Sequence, residues 1–403
     1  MARKRPPPQS RRPRVFVCDP MCVLPFGHNV PAMGYFRDFF RSDMSDVVAL
    51  CCRELPSKIA EANDFTPFFH FYYEDYFPRI RNSSNEPASH AGWFIDDAER
   101  LATIDASALL NEFAIGPRDT IFHPHLDFYG CIGLLNALRA WPKERRPRLL
   151  LRFIGVMENA SHSYRDPLEE LVGRLRLAIN DGVEMSFSAE TPLYADRLAE
   201  KLGSIVTVTA YPEMSKPIPM REDGPFTFYC AGSARHDKGF MHLPEIFSAV
   251  RRRDPEMTIR FITQILPAAD LKHHMTAARS LYALPGVEVQ ASSISSYEML
   301  RTYERSHAVL LPYDAVTYRY RGSAVLMESV FHGRPAITLE GTAFAGIARH
   351  YNLGIVVDNI PAMVDAIFEM ASTKRSVLAG RAAQARHRFH LDNSAAFQSW
   401  LRI

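Results

Sequence analysis

Short apolar runs alternate with amphipathic stretches along most of the chain, the pattern of buried strands separated by crossover helices. In the first half the strand-like runs are Arg14–Cys18 (RVFVC), Val47–Cys51 (VVALC), Asp119–Phe122 (DTIF), Arg148–Ile154 (RLLLRFI) and Ile205–Thr209 (IVTVT). In the second half they are Phe226–Ala231, Thr258–Thr263, Val287–Gln290, His307–Leu311, Pro335–Thr338 and Gly354–Val357. Helices are expected around Tyr35–Arg41, after Gly130 over Ile132–Trp141, and over Ala382–Trp400. Asp166-Pro167-Leu168-Glu169 supplies a capping residue, a proline at the first turn and an acid at N3. Thr191-Pro192 opens another helix, which Gly203 closes. Between the halves, Tyr211–Pro225 (YPEMSKPIPMREDGP) is proline-rich, polar and aperiodic, as a linker is. The aromatic stretch Phe65–Phe77 (FTPFFHFYYEDYF) reads as a strand and loop, and Arg79–Ala91 as irregular. The pattern predicts an α/β chain of two Rossmann-like domains, each a doubly wound parallel sheet. The expected divisions are a basic tail at 1–13, a first domain at 14–212, a linker at 213–225, a second domain at 226–381 and a terminal helix at 382–403.

With 403 residues, two such domains have ample material for large cores. Hydrophobic content of 47% and charged content of 23% are those of an ordinary globular chain. The formal charge of +2 provides no overall field for nucleic acid. Basic residues do cluster in Met1–Arg14 (MARKRPPPQSRRPR), where prolines forbid a helix. That tail reads either as a disordered solubilising segment or as a weak tether to anionic lipid head groups. No apolar run reaches the ~18 residues of a membrane-spanning helix, and the tail lacks the apolar core of a secretory signal. The expected location is therefore the cytoplasm, with peripheral contact at the inner face of the membrane left open. Six cysteines without paired CxxC motifs are expected to be reduced and buried rather than bound to zinc.

Candidate chemistry concentrates in the second half. After the strand His307–Leu311 and Pro312 comes an extended loop, and Arg321-Gly322-Ser323 opens a short helix over Ala324–His332, which Gly333 ends. A helix amino end offers free N–H groups and a positive dipole end to a pyrophosphate. Glu328 lies on the second turn of that helix, within reach of a sugar hydroxyl. Gly232–Phe240 (GSARHDKGF) follows the first strand of the second domain. Gly232 and Gly239 allow a tight turn there, and Arg235 and Lys238 place two cations where a diphosphate would sit. Gly341-Thr342 turns at the end of a further strand, and Thr342 is a candidate donor contact. In the first domain, the loop with Gly27 and His28 leaves strand one at the carboxyl edge of the sheet, where open α/β sheets bind ligands. His123, His125 and Asp127 raise a metal question, but no third histidine or cysteine cluster and no Asp-x-Asp motif accompanies them. No nucleophile elbow, Walker loop or G-x-G-x-x-G is present.

The segment His307–Val357 resembles the nucleotide-sugar-binding part of the retaining family 4 glycosyltransferases, which have the GT-B fold. Their helix ends in a segment like His332-Gly333-Arg334-Pro335, and of their two spaced glutamates the second matches Glu328. The first falls on Tyr320, and Tyr318–Ser323 is closer to a tyrosine/arginine-Ser-Gly version of the loop. The family's Gly…Arg…Lys-Gly segment matches Gly232, Arg235 and Lys238. The resemblance implies GT-B architecture, with two domains facing across a cleft and the terminal helix crossing back onto the first. It also implies sugar transfer, with retention, from a nucleoside diphosphate to a glycan or lipid-linked acceptor, as in polysaccharide synthesis, without metal or other cofactor. Arg235 and Lys238 would stabilise the departing diphosphate and Glu328 would bind the ribose. Gly322 and Ser323 would cap the helix beside the phosphates, and His125 would touch the donor sugar. Tyr320 and Arg321 either stand in for the missing glutamate or line the loop. The substitution at Tyr320 keeps open a silent GT-B protein that binds a glycan or partner. A GT-B sugar-nucleotide epimerase is the enzymatic rival.

Overall fold

The computed structural model describes residues 12–24, 28–42, 46–72, 95–155, 166–210, 216–231, 234–266, 271 and 274–401. Most of the basic tail, Gly27, Gly232, the end of the aromatic stretch and the irregular segment Arg79–Ala91 lie outside them. The chain divides into two compact units. One comprises 1–188 and 197–207, the other 189–196 and 208–402.

The first unit carries β1 (Arg14–Asp19), α1 (Asn29–Ser42), β2 (Asp46–Cys52), α2 (Ser57–Ala62), β3 (Thr66–Phe69), α3 (Ile95–Glu112) and β4 (Thr120–His123). These are followed by α4 (Phe128–Ala140), β5 (Arg148–Phe153), α5 (Pro167–Asn180), β6 (Met185–Ala189), α6 (Pro192–Leu202) and β7 (Val206–Val208), of which Ala189, Pro192–Asp196 and Val208 group with the second unit. The strands form one parallel sheet in the order β3-β2-β1-β4-β5-β6-β7. Its register is set by pairs such as Val15 with Val47 and Phe16 with Ile121. Every residue of β1 is buried, as a strand covered on both faces requires. Arg14 is tolerated there because its guanidinium forms an ion pair with Asp119 at 2.7 Å.

Two helix starts follow from capping chemistry. Asp166 accepts from the Glu169 N–H with Pro167 in the first turn, as its sequence implies. The apolar helix after β4 begins at Phe128 rather than Ile132, because the Asp127 side chain accepts from the Gly130 N–H. Gly130 is thus inside the first turn, where a Cβ would collide with that carboxylate. In the aromatic stretch, Phe65, Phe68, Phe69, Phe71 and Tyr72 are each at most 6% exposed. Those rings are core, with no face available to a sugar.

The second unit contains β8 (Phe226–Cys230), α7 (Leu243–Arg253), β9 (Ile259–Gln264), α8 (Met275–Ala283), β10 (Val287–Gln290), α9 (Ser296–Arg305) and β11 (Ala308–Leu311). Then come α10 (Ala324–Phe331), β12 (Ala336–Leu339), α11 (Ala343–Tyr351), β13 (Gly354–Val357), α12 (Ile360–Ser372) and α13 (Arg375–Leu401). Its parallel sheet has the order β10-β9-β8-β11-β12-β13. Phe247 of α7 stacks on Phe261 of β9 with ring centroids 3.9 Å apart, against Phe228 of β8. In each sheet the winding reverses between two strands: β1 and β4 in the first, β8 and β11 in the second. Such switch points open a crevice at the carboxyl ends of the strands. All six cysteines are free and buried.

Candidate active site

The loops leaving β8 and β11 emerge side by side at the switch point of the second sheet. They are tied together by backbone: Asp314 N–H donates to the Asp237 carbonyl at 2.9 Å. Gly239 makes that approach possible. Its φ is +76°, and a Cβ there would run into the Pro312 carbonyl oxygen. Two short 3₁₀ turns, His236–Lys238 and Phe240–His242, carry the chain from this loop into α7.

Arg235 stands at the mouth of the loop with its side chain 47% exposed. It donates to both carboxylate oxygens of Asp237, at 2.9 and 2.7 Å, and to the Tyr318 hydroxyl at 3.1 Å. Burial opposes the guanidinium charge, but the bonds to Asp237 outweigh it and hold the cation on. The same pairing overrides burial at Asp237 and keeps its carboxyl below the usual range. Lys238 is half-buried, with its ammonium 5.7 Å from the centre of the Tyr313 ring. Burial, reinforced by Arg235, brings its pKa down to about 8, against the pull of Asp237 and Glu328.

Helix α10 presents its amino end to this group. The Ser323 hydroxyl accepts from the Leu326 N–H at 3.1 Å, so Ser323 is the cap. The helix is buried along nearly all its length, which its sequence AVLMESVF permits. Gly333, at φ +69°, follows its carboxyl end as a C′ residue. Glu328 is half-buried, and burial pushes its carboxyl up to about 7 despite the attraction of Lys238 and a bond from Tyr303. That bond, from the Tyr303 hydroxyl to Glu328 Oε2, is 3.5 Å long. Tyr303, on α9, is fully buried, and no local pattern in the sequence announces its part in the site.

Below α10, Arg334 is 2% exposed and spends its donors on carbonyls. It reaches Tyr303 O at 3.0 and 3.2 Å, Ile218 O at 2.8 Å, Pro219 O at 3.2 Å and His332 O at 2.9 Å. Residues 216–219 of the linker are thereby strapped to the ends of α9 and α10.

The remaining loop residues are more peripheral. The Tyr320 carbonyl accepts from Thr191 Oγ1 at 3.0 Å and its ring lies 5.8 Å from Tyr194, both in the segment 189–196 of the same unit. Gly322 sits against the Glu190 side chain, where a Cβ would meet the carboxylate, and Arg321 is half-buried beside it. Thr342 donates to the Leu339 carbonyl at the start of α11, and the Ala343 N–H donates to Tyr318 O at 2.8 Å. Arg235, Lys238, Tyr318 and Glu328 thus form one interacting group at the switch point, with Thr342 next to the Ala343 N–H that bonds Tyr318 and with Ser323 capping the helix that carries Glu328.

The first unit has its own polar cluster at its switch point. His125, 1% exposed, shares a 2.8 Å hydrogen bond between Nδ1 and Asp19 Oδ2. Asn29 Nδ2 donates to the same carboxylate oxygen at 3.1 Å, and the His28 ring lies 5.7 Å from His125. His123, next along the strand, is buried and its pKa falls to about 4, which keeps it neutral. Among the described residues no group of three or more His, Cys, Asp or Glu side chains is placed to hold a metal ion. Nor, among them, is any helix long and apolar enough to cross a membrane.

No protein-family profile matches the sequence, and no curated protein matches it. Solved structures do. HepE from Anabaena, crystallised in complex with UDP, has a TM-score of 0.64 and 10% identity, covering 97% of this chain and 100% of HepE. The lipopolysaccharide outer core galactosyltransferase WaaB has a TM-score of 0.62 and 12% identity over 96% of this chain and 99% of its own. A putative UDP-N-acetylglucosamine 2-epimerase from Listeria monocytogenes has a TM-score of 0.59 and 11% identity, over 93% and 91%. The match to TarM, at 13% identity and TM-score 0.55, takes in 74% of this chain but only 57% of that larger one. These likenesses show the fold: the two parallel-sheet domains have the GT-B architecture of glycosyltransferases.

Proposed function

We propose that the protein is a glycosyltransferase that moves a sugar from a nucleoside diphosphate to a glycan or lipid-linked acceptor, with retention and without a metal ion. The observation that carries this reading is the convergence of Lys238, Arg235 and Glu328 with the capped amino end of α10 at one switch point. Two fixed cations and a helix dipole suit a diphosphate. A carboxylate one turn further suits the vicinal hydroxyls of a ribose. In the reaction the acceptor hydroxyl oxygen bonds to the sugar's anomeric carbon, the bond from that carbon to the diphosphate oxygen breaks with its electron pair on the oxygen, and the hydroxyl proton passes to the departing diphosphate. Lys238 and Arg235 are already held where that charge grows, so little reorganisation is required. Tyr313 beside Lys238 excludes water from one side of the ammonium and strengthens its field. Retention is assigned on the family resemblance; His125, which the resemblance would place on the donor sugar, is 1% exposed and bonded to Asp19, so it is not offered to a sugar in this conformation. A UDP-type donor is favoured by the HepE complex. The basic tail would give the enzyme peripheral contact with the cytoplasmic face of the membrane.

The test is calorimetric titration with UDP and UDP-sugars in EDTA, followed by product analysis. Binding of UDP that weakens at least about tenfold in both Lys238→Ala and Glu328→Ala is expected, with sugar transferred to an added glycan. An epimerase, favoured by the Listeria neighbour, would instead return UDP with an isomerised sugar and need no acceptor. Failure of the folded protein to bind any nucleoside diphosphate would leave a silent scaffold as the reading.

A further inference from the structure

The carboxyl edge of the first sheet holds two Asp–His pairs, and they differ in one respect that bears on function. The pair at the switch point, Asp19 with His125, is sealed: both side chains are at most 1% exposed. The second pair is open. His70 follows β3 directly, and its Nδ1 lies 2.9 Å from Asp105 Oδ1 on α3. Asp105 is buried, with a side chain only 2% exposed, whereas the His70 side chain is 39% exposed.

The rest of the geometry fixes the imidazole. Asp105 Oδ2 accepts from the His70 backbone N–H at 2.7 Å and from the Tyr72 hydroxyl at 2.6 Å. A carboxylate so engaged demands a proton on Nδ1, which leaves Nε2 as the acceptor nitrogen. The guanidinium of Arg53, just after β2, lies 3.5 Å from Nε2. Arg53 is itself held by a 2.6 Å bond to the Phe68 carbonyl. The groups facing His70 are therefore Asp105 from α3, Arg53 from β2 and Tyr72 beyond β3, with Asp127 and Cys52 acting on Tyr72. The imidazole thus faces solvent beside a guanidinium and is held from behind by a buried carboxylate. Its neighbours in sequence, Phe69 and Phe71, are core.

We propose that His70 and Arg53 form a subsite for a hydroxyl-bearing glycan, the acceptor in the transferase reading on which this inference rests. Nε2 accepts a hydrogen bond from a sugar hydroxyl in place of its 3.5 Å contact with Arg53, whose guanidinium then donates to an adjacent ring or hydroxyl oxygen. Asp105 and Tyr72 are positioning residues that hold the imidazole in one tautomer and orientation.

The subsite is tested on the full chain with a probe set of methyl glycosides of glucose, galactose, mannose and N-acetylglucosamine. The His70 imidazole resonance is followed by NMR, and UDP binding is measured in parallel. At least one glycoside is expected to shift that resonance and to protect His70 from acylation by diethyl pyrocarbonate. In His70→Asn the amide keeps a donor for Asp105 but has nothing at Nε2. Thermal stability is expected to change little, UDP affinity to stay within about twofold, and glycoside affinity to fall about tenfold, the worth of one hydrogen bond to the ligand. His70→Gln, which restores a polar group near Nε2, is expected to recover part of it. If no glycoside moves the His70 resonance, or if His70→Asn binds the glycoside as the wild type does, the subsite is refuted whether or not UDP binds. Loss of UDP binding in the wild type, with glycoside binding intact, refutes the transferase reading and leaves the subsite standing.

Discussion

At the scale of single residues, the opposed shifts of Lys238 and Glu328 dictate how stability changes with pH. Glu328 titrates near 7 in the folded chain against 4.5 when unfolded, so between those values the native state holds the extra proton. Stability therefore falls as pH rises through that window. Lys238 titrates near 8 against 10.5, so above pH 8 the unfolded chain holds the extra proton and stability rises again. The site is most costly near pH 7–8, where both groups are charged, by about 3 kcal/mol relative to either end of the range. Urea unfolding from pH 5 to 10 is expected to show this minimum, and Glu328→Gln to abolish its acid limb. The same variant removes an attraction from Lys238 and lowers its pKa further. A bound diphosphate acts oppositely: it draws a proton onto Lys238, so UDP affinity is expected to fall as pH rises above 8. A pH-independent affinity to pH 10 would place the diphosphate elsewhere.

These two residues were legible in the sequence because glycines, cations and a helix start announce themselves locally. Tyr303 and His70 were not, because what makes each of them functional lies far along the chain. Asp105 is 35 residues from His70, on a helix whose periodicity says nothing of a histidine. The aromatic stretch is ambiguous in sequence for a related reason. Rings that pack a core and rings that receive a sugar look the same in sequence, and the one polar residue among the buried ones is the feature that distinguishes them.

At the scale of elements, the loop after β8 is shaped by its contact with the end of β11. Gly239→Ala would force a left-handed φ on an L side chain and press a Cβ into the Pro312 carbonyl. It is expected to cost about 2–3 kcal/mol if the loop holds its place. If the loop yields, stability is largely kept and Lys238 moves with it, so UDP affinity drops. Denaturant unfolding and UDP titration of one variant separate the two outcomes, and a variant unchanged in both would refute the packing argument. Arg334 makes a parallel case. Arg334→Met strands several buried carbonyls at once and is expected to cost about 3 kcal/mol in urea unfolding, since each lost charged donor leaves an acceptor unsatisfied. Here the sequence supplied the His332–Pro335 motif but not its purpose, because the carbonyls that Arg334 holds belong to the linker and to α9. Helix limits erred in the same direction. Asp127 starts α4 four residues before the apolar run, since a cap and one turn of backbone bonding extend a helix past its hydrophobic stripe.

At the scale of the whole molecule, the alternation of strands and helices was enough to specify two doubly wound sheets, because parallel pairing obliges every connection to cross over. Along the chain 189–196 groups with the second unit and 197–207 with the first. An apolar period cannot report such an exchange, as it records that a helix is buried and not against what. The exchange bears on unfolding. A nucleotide held by Lys238, Arg235 and Glu328 binds wholly within the second unit, and its stabilisation is about 2.7 kcal/mol at a hundredfold excess over Kd. If the two units unfold independently, calorimetric scans with UDP are expected to move one transition upward and leave the other where it was. Hydrogen exchange read with and without UDP is expected to show added protection in β8, β11 and α10. Protection spread evenly over the first sheet would mean that the units unfold as one and that the nucleotide's stabilisation is shared by the entire chain.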